Sequence, residues 1–310
     1  MGRAGEALLV LTTVIWGTTF ILTKQLTTQI PPMLYLGLRF AVGGLALVPV
    51  VVLGPRGREG SWSWTAQARL GAWAGVTYFV SATTQTIGLQ FTTASKAAFL
   101  TALSVVFVPF LLAIGWKERV PRGAWVGALV ATGGIYLLSF AGLELPSPGD
   151  PLVLVCAVAF ALYTIYIGRW SDRLELAPFT FVQLVTSSLL CLSTSWALGE
   201  AAGTSLAGVE RTGWLVLIYL GVVATAGAVF TQAAGQRSVP PARAALIFAL
   251  EPVFATYFGI VWGGEALTLQ AVAGAALILA GIVLAIEKKG GGGEEGGGDG
   301  VGGEPAGASN

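Results

Sequence analysis

The segment Thr92–Glu118, TTASKAAFLTALSVVFVPFLLAIGWKE, returns near the other end of the chain as Val239–Glu265, VPPARAALIFALEPVFATYFGIVWGGE. The matching positions lie at a constant offset of 147 residues, and they pair Lys96 with Arg243, Leu103 with Leu250, Phe107 with Phe254, Glu118 with Glu265, Gly127 with Gly274 and Gly134 with Gly281. A fixed period of this length predicts a duplicated unit of roughly 145 residues. We expect one repeat in residues 1–146, a second in 147–287, and a Gly-rich, disordered tail in 288–310.

Composition indicates where the duplicated unit lies. Apolar residues make up 55% of the chain, charged residues 11%, and mean hydropathy is +0.76. A soluble domain carries about 25% charged residues. A chain this apolar cannot cover itself with a polar surface, so the composition predicts an integral membrane protein in contact with the lipid bilayer. The net charge of +1 gives no indication of a nucleic-acid partner.

The apolar residues fall into segments of about 17 to 24 residues, each long enough to cross the hydrocarbon as a helix. Ten such helices are predicted, near Ala7–Gln25, Pro32–Leu53, Leu70–Leu89, Thr93–Trp116, Gly123–Ala141, Pro151–Gly168, Pro178–Leu198, Trp214–Gln236, Pro240–Gly263 and Leu267–Ile286. The fold class is therefore an all-α membrane protein with five helices in each repeat.

Basic residues between these segments predict the orientation. With the amino terminus in the cytoplasm, twelve lie on the cytoplasmic side: Arg3, Arg56, Arg58, Arg69, Lys117, Arg119, Arg122, Arg169, Arg173, Arg237, Lys288 and Lys289. Lys24, Lys96 and Arg211 lie on the other side. Both termini are therefore expected in the cytoplasm.

An odd number of helices in each repeat means that the second repeat enters the membrane from the opposite face. Inverted repeats place a solute site at their interface, which rocking of the halves exposes to each side in turn. This geometry indicates a transporter.

Several segments are similar to one family. WGTTF at Trp16–Phe20, LRF at Leu38–Phe40, LEPVFA at Leu250–Ala255 and GGEALTLQAVAGAALILAGIVL at Gly263–Leu284 resemble the EamA family of the drug/metabolite transporter superfamily, as does the segment beginning at Thr92. The resemblance covers residues 7 to 287. It implies a ten-helix secondary transporter with a central cavity, in a family whose members often export amino acids or other small metabolites.

Charged residues within the predicted helices are the first candidate site residues, because an unpaired charge in lipid is costly. Arg39 is either an anchor for a solute carboxylate or part of a structural ion pair or helix cap. Lys96 and Arg243 occupy equivalent positions at opposite faces. They either receive a solute carboxylate in turn or extend their charges to the membrane surface.

Glu251 is the acidic residue deepest in a predicted helix, and its equivalent in the first repeat is Ser104. A carboxylate withdrawn from water binds a proton more readily, so Glu251 is a candidate proton-coupling residue or, alternatively, a structural anchor. Pro109 and Pro252 lack the N–H that a helix needs, and each bend is either a hinge or a packing feature.

Uncharged polar side chains at mid-membrane positions complete the predicted cavity. The indole N–H of Trp16 needs a partner in the membrane, which favours a position on the cavity wall beside Thr19. The further candidates for solute binding are Tyr78, Gln85, Tyr163 and Gln232, each of which is alternatively a contact between helices.

Absent residue types exclude other functions. The chain has no His, which removes His bases and His metal ligands, and Cys156 and Cys191 are isolated. No Walker-type glycine loop is present, so we expect a gradient-driven transporter rather than an enzyme or ATPase, without cofactor or metal.

The sequence thus predicts an exporter or exchanger of small metabolites, amino acids first, in a bacterial inner membrane. The alternatives are an antiporter of anionic solutes such as phosphate esters or nucleotide sugars, and a lipid flippase or membrane scaffold. The Gly-rich fifth and tenth helices either join the halves or form a homodimer.

Overall fold

The computed structural model describes residues 2–54, 63–139, 147–263 and 267–286, and these residues contain helices but no strand. The predicted tail 288–310, Arg56, Arg58 and Glu265 lie outside the described residues. The α-helices are α1 (Gly2–Gly17), α2 (Thr19–Leu26), α3 (Pro32–Leu53), α4 (Trp64–Leu89), α5 (Ala94–Ala102), α6 (Ser104–Gly115), α7 (Arg122–Ser139), α8 (Asp150–Trp170), α9 (Leu176–Ala197), α10 (Glu200–Gly203), α11 (Arg211–Gly221), α12 (Ala228–Gln236), α13 (Pro241–Phe248), α14 (Glu251–Gly263) and α15 (Leu269–Ile286). A π-helical turn, Val222–Gly227, joins α11 to α12.

Several helical stretches are long and apolar enough to cross a bilayer. Within the described ranges there are six: Arg3–Leu26, Pro32–Leu53, Lys96–Gly115, Asp150–Arg173, Leu176–Ala197 and Arg211–Gln236. Large apolar side chains also project outward, as shown by the exposed fractions of Leu53 (83%), Trp196 (79%) and Leu269 (85%). Water would penalise such a surface, whereas lipid does not. The chain is therefore an all-helical, multi-pass membrane protein.

Three long helical stretches are interrupted within the structure. Thr18 separates α1 from α2, Leu103 separates α5 from α6, and Ala249 with Leu250 separates α13 from α14. Leu103 and Leu250 are equivalent at the offset of the sequence repeat. Backbone hydrogen bonds resume on either side, for example from Phe107 N to Leu103 O at 3.2 Å, so each interruption is local.

The two prolines proposed as hinges lie beyond these interruptions. Pro109 is inside α6, six residues after the interruption at Leu103. Pro252 is the second residue of α14, where a helix does not need the N–H that proline lacks. The helices are thus interrupted before the two prolines and not at them.

Five pairs of helices make the main contacts between distant parts of the chain. Helix α3 packs on α9, α7 on α15, α4 on both α8 and α9, and α1 on α12. At the α7–α15 contact, a Cβ on Gly127 would lie 2.5 Å from Gly281 O, and one on Gly134 would lie 2.6 Å from Gly274 O. The glycine surfaces of these two helices therefore meet each other within one chain, because glycine allows backbones this close.

Hydroxyl groups reinforce the contacts of α9. Ser187 Oγ donates to Gly75 O on α4, and Ser188 Oγ donates to Gly37 O on α3, both at 2.9 Å. Both serines are buried. Helix α9 is thereby fixed between α3 and α4, two of the helices that form the cavity described next.

Candidate solute-binding site

A cavity with about 550 Å³ of empty space, part of it open to solvent, lies among α1 to α5, α8 and α14. Its walls include residues beside the helix interruptions: Trp16 near the end of α1, Thr19 at the start of α2, Thr101 near the end of α5, and Glu251 at the start of α14. Interrupted helices bring polar backbone and side chains to the membrane interior without exposing them to lipid. The wall residues are Trp16, Thr19, Leu36, Arg39, Phe40, Tyr78, Ser81, Ala82, Gln85, Thr86, Thr101, Phe160 and Glu251.

Arg39 carries the positive charge of the cavity wall. Its side chain is buried, with Nε donating to Thr225 Oγ1 at 2.7 Å and one terminal nitrogen donating to Tyr35 Oη at 3.1 Å. Tyr35 in turn shares a 2.9 Å hydrogen bond with Thr23. No acidic side chain of the described ranges lies within 4 Å of the guanidinium. Neutral hydroxyls therefore hold Arg39 and leave its charge uncompensated by a described carboxylate.

Glu251 is the acidic residue of the same wall. It is the first residue of α14, and its half-buried side chain faces the cavity. Among the residues that the structure describes, no donor or cation lies within bonding distance of its carboxylate. The amino end of a helix favours a negative charge, which partly offsets the cost of burial at this position.

Aromatic rings form the apolar part of the wall. The Trp16 ring centroid lies 5.5 Å from that of Phe160, in an edge-on arrangement. The Phe40 and Tyr78 centroids are 5.4 Å apart. Each pair of this kind contributes about 0.5–1.5 kcal/mol beyond burial alone. The cavity wall thus combines a guanidinium, a carboxyl group and an aromatic surface.

The π-helical turn supplies partners for two of the wall residues. Trp16 Nε1 donates to Ala224 O at 3.2 Å, and Thr225 accepts the hydrogen bond from Arg39. A π turn inserts an extra residue into a helix and is frequently found at functional sites. Here it directs a carbonyl and a hydroxyl toward the wall of the cavity.

Lys96 and Arg243 lie away from the cavity wall, each paired with a carboxylate. Lys96 Nζ is 2.7 Å from Asp150 at the start of α8, with exposed side-chain fractions of 7% and 16%. Arg243 is 2.5 Å from Glu6 in α1, with exposed fractions of 37% and 26%. Each cation therefore sits at the start of a helix in one half of the sequence and pairs with the first helix of the other half.

Tyr163 and Gln232 also lie outside the cavity wall. Tyr163 Oη accepts a hydrogen bond from Gln183 Nε2 at 2.9 Å, and Gln232 Nε2 donates to Gln236 at 3.2 Å. All four side chains are buried. The predicted candidates thus divide into two groups, since Trp16, Thr19, Arg39, Tyr78, Gln85 and Glu251 line the cavity and Lys96, Tyr163, Gln232 and Arg243 do not.

Sequence reasoning selected Thr19 but not the other small hydroxyl residues of the wall. Ser81, Thr86 and Thr101 line the cavity, and Thr101 accepts a 3.1 Å hydrogen bond from Gln85. Thr86 lies one residue after Gln85, and Ser81 lies one turn before it. The four-residue spacing of Ser81 and Gln85 places both on one face of α4, and this is the signal that would have identified Ser81.

A multi-pass helical protein with a polar cavity between interrupted helices has the architecture of a membrane transporter. A profile of the EamA-like transporter family matches residues 3–140 and 147–286. The chain belongs to this family, which consists of transporters and is not a family of enzymes.

Related proteins agree with the family assignment. A protein of Archaeoglobus fulgidus named as an uncharacterized transporter is 29% identical over 277 residues, which cover 89% of this chain and 83% of the relative. The uncharacterized transporter YvbV of Bacillus subtilis is 28% identical over 284 residues, covering 89% and 90%. A solved crystal structure with 19% identity has a TM-score of 0.73 and covers 92% of this chain and 97% of its own, a likeness of fold.

Proposed function

We propose that this protein is a secondary transporter that exports or exchanges small zwitterionic metabolites, amino acids first. The observation that carries the proposal is the presence of Arg39 and Glu251 on the wall of one cavity, each without a described partner of opposite charge. A zwitterion brings a carboxylate for the guanidinium and an ammonium for the carboxylate. Both costly charges are then compensated only when solute is bound.

The remaining wall residues fit the same solute. A guanidinium has five N–H donors, and the described contacts of Arg39 use two of them, so donors remain for a carboxylate. The rings of Trp16, Tyr78 and Phe160 offer an apolar surface for a side chain. Thr19 and Gln85 supply further polar contacts.

Glu251 also serves as the coupling residue in this proposal. A carboxylate that faces the cavity can bind either a proton or the solute ammonium. Competition between the two would drive export against inward proton movement. Because the sequence has no Walker-type loop, a gradient is the energy source that fits.

In this proposal the protein has ten membrane helices in two inverted repeats, with both termini in the cytoplasm of a bacterial cell. Such an arrangement permits alternating access to the cavity. The helix bounds support the repeat, because α7 (Arg122–Ser139) shifted by 147 residues coincides with α15 (Leu269–Ile286). The contacts Gly127–Gly281 and Gly134–Gly274 exchange under the same shift, as expected for two halves related by a two-fold axis. Of the two proposed hinges, Pro109 lies inside α6, and Pro252 is the second residue after the interruption at Ala249 and Leu250.

The geometry favours a zwitterion over an anionic solute. An anion site built from Arg39, Lys96 and Arg243 needs all three cations in one cavity. Lys96 and Arg243 are instead paired with Asp150 and Glu6. One cation and one carboxylate on the same wall match a solute of zero net charge better than a phosphate ester.

Uptake of a panel of labelled amino acids into proteoliposomes, with and without a pH gradient, tests the proposal. We expect saturable uptake in the wild type, loss of binding in Arg39→Gln, and loss of gradient dependence in Glu251→Gln. Glu210 and Arg211 are adjacent in the sequence and exposed, and they provide the control variants Glu210→Gln and Arg211→Gln. Uptake of no amino acid, or uptake unchanged in both cavity variants, would contradict the proposal and favour a phosphate ester or a lipid as solute.

A further inference from the structure

A second group of polar side chains is buried between α8, α9 and α12. Gln183 Nε2 donates to Tyr163 Oη at 2.9 Å, and Gln236 Nε2 donates to Thr164 O at 2.8 Å. Gln232 joins the group through its 3.2 Å hydrogen bond to Gln236. The exposed fraction of each of these side chains is 3% or less. We call these five residues the inner polar cluster.

The inner polar cluster leaves several hydrogen-bonding atoms without a partner in the described structure. They are Gln183 Oε1, Gln232 Oε1 and the hydroxyl of Thr164, together with the hydroxyl of Thr180 one turn from Gln183. An unsatisfied buried polar atom costs about 1–3 kcal/mol, and native proteins contain few of them. Four such atoms on three adjoining helices therefore offer hydrogen-bonding capacity that no described residue uses.

The sequence repeat relates this cluster to the open cavity. At the offset of 147 residues, Tyr163 is equivalent to Trp16, and Gln232 is equivalent to Gln85. Gln183 is likewise equivalent to Leu36. All three counterparts line the cavity. Three of the five cluster positions thus have counterparts that line the cavity in the first half of the protein, whereas in the second half they are buried between helices.

Aromatic rings of the cavity wall contact an aromatic ring of the inner polar cluster. The Tyr163 ring centroid is 5.3 Å from that of Tyr78 and 6.1 Å from that of Phe160, and the latter two rings line the cavity. Movement of these rings would connect the cavity to the inner polar cluster. The cluster is therefore placed to continue the path that the cavity begins.

We propose that the inner polar cluster is a second solute subsite. It is closed in this conformation and opens, when the two halves exchange conformations, toward the membrane face opposite to the one that the cavity serves. Two of the free atoms are amide carbonyl oxygens, which only accept hydrogen bonds, and the two hydroxyls can accept as well, so the group that they receive is a donor such as the solute ammonium. The inference rests on the proposed transport function and specifies the second half of its pathway.

Thiol labelling with a charged, membrane-impermeant reagent tests the subsite independently of transport. Cys156 and Cys191 are free cysteines and are first replaced by alanine. Into this background we place Gln85→Cys, Gln232→Cys and, as a second reporter in case one variant fails to fold, Gln183→Cys. We expect the reagent to reach Gln85→Cys from one face only, and Gln232→Cys and Gln183→Cys from the other face only.

Transport kinetics from each face provide the second readout. Removing the acceptor in Gln232→Leu should raise KM about tenfold for solute presented at the face that labels Gln232→Cys, as expected for a lost hydrogen bond to a charged group. KM at the opposite face should change much less. The Gln85→Leu variant should show the reverse pattern.

The outcomes separate this inference from the proposed function. Labelling from opposite faces without transport of any amino acid would support the subsite and show that the proposed solute is wrong. Amino-acid transport with Gln232→Cys and Gln183→Cys unreactive from both faces, or reactive from the same face as Gln85→Cys, would overturn the subsite and leave the proposed function standing.

Discussion

Arg39 Nε donates a 2.7 Å hydrogen bond to Thr225 Oγ1, and Thr225 lies in the π-helical turn Val222–Gly227. The two residues are buried, and they lie on helices far apart in the sequence. A buried guanidinium needs fixed acceptors if it is to remain ready for an incoming carboxylate. The irregular turn therefore serves to hold the cation at the cavity wall.

Replacing Thr225 by valine should weaken solute binding. The side chain keeps its shape but loses the acceptor for Arg39, and we expect a rise in KM of about fivefold, which corresponds to about 1 kcal/mol. The matched control is Thr84→Val, because the Thr84 hydroxyl bonds only to the backbone carbonyls of Val80 and Ser81. Equal changes of KM in the two variants would argue against the positioning role.

The ion pair at Lys96 should contribute more to stability than its repeat counterpart at Arg243. Lys96→Met leaves Asp150 largely buried beside an apolar side chain, and we expect a loss of about 2–3 kcal/mol of unfolding free energy. Arg243→Met removes a more exposed pair and should cost less than about 1 kcal/mol. Unfolding by titration with SDS in mixed micelles measures both losses. A larger loss for Arg243→Met would contradict the difference in burial.

Two adjacent glycines of α7 should respond in opposite ways to alanine. A Cβ at Gly134 would lie 2.6 Å from Gly274 O and 2.7 Å from Ile278 N, both backbone atoms. Gly134→Ala should therefore destabilise the protein by about 1–3 kcal/mol. A Cβ at Gly133 meets nothing within 4 Å, so Gly133→Ala should be neutral or stabilising by up to about 1 kcal/mol. Melting temperatures in detergent compare the pair, and similar losses would refute the close α7–α15 contact.

Trp16→Phe tests the hydrogen bond between the cavity wall and the π-helical turn. The variant keeps an aromatic ring but loses the N–H that reaches Ala224 O, so we expect a loss of about 1 kcal/mol of stability together with slower transport. Trp73→Phe serves as the control, because that side chain is 65% exposed and a surface change costs less than about 0.5 kcal/mol. Transport at wild-type rate in Trp16→Phe would show that the N–H is dispensable.

Much of the helical architecture follows from the sequence, because apolar length and proline positions are local properties. The prediction Pro32–Leu53 coincides with α3, and Pro151 and Pro240 lie within one residue of the starts of α8 and α13. The interruption at Thr18 and the π-helical turn were not predicted. Both adjoin tertiary hydrogen bonds, one between Thr18 and Tyr219 and one from Trp16 to Ala224 O, which have no local signature.

The candidate site was predictable to a similar extent. Scarcity of charge within apolar helices identified Arg39 and Glu251, which line the cavity. The same reasoning selected Lys96 and Arg243, whose carboxylate partners lie 54 and 237 residues away at Asp150 and Glu6. Sequence alone does not reveal contacts of that separation. Nor does it show which of the two repeats lines an open cavity, and this difference is the reason that Gln85 lines the cavity and Gln232 does not.

Competition at the transport site tests the central claim most directly. Proteoliposomes take up a labelled amino acid in the presence of the same amino acid unlabelled, of the amine that lacks its carboxylate, or of the acid that lacks its ammonium. If Arg39 and Glu251 bind the two ends of one solute, the intact zwitterion should inhibit at least about tenfold more strongly than either fragment, since each fragment leaves one buried charge unpaired. Inhibition by either fragment as strong as that by the amino acid would contradict the account.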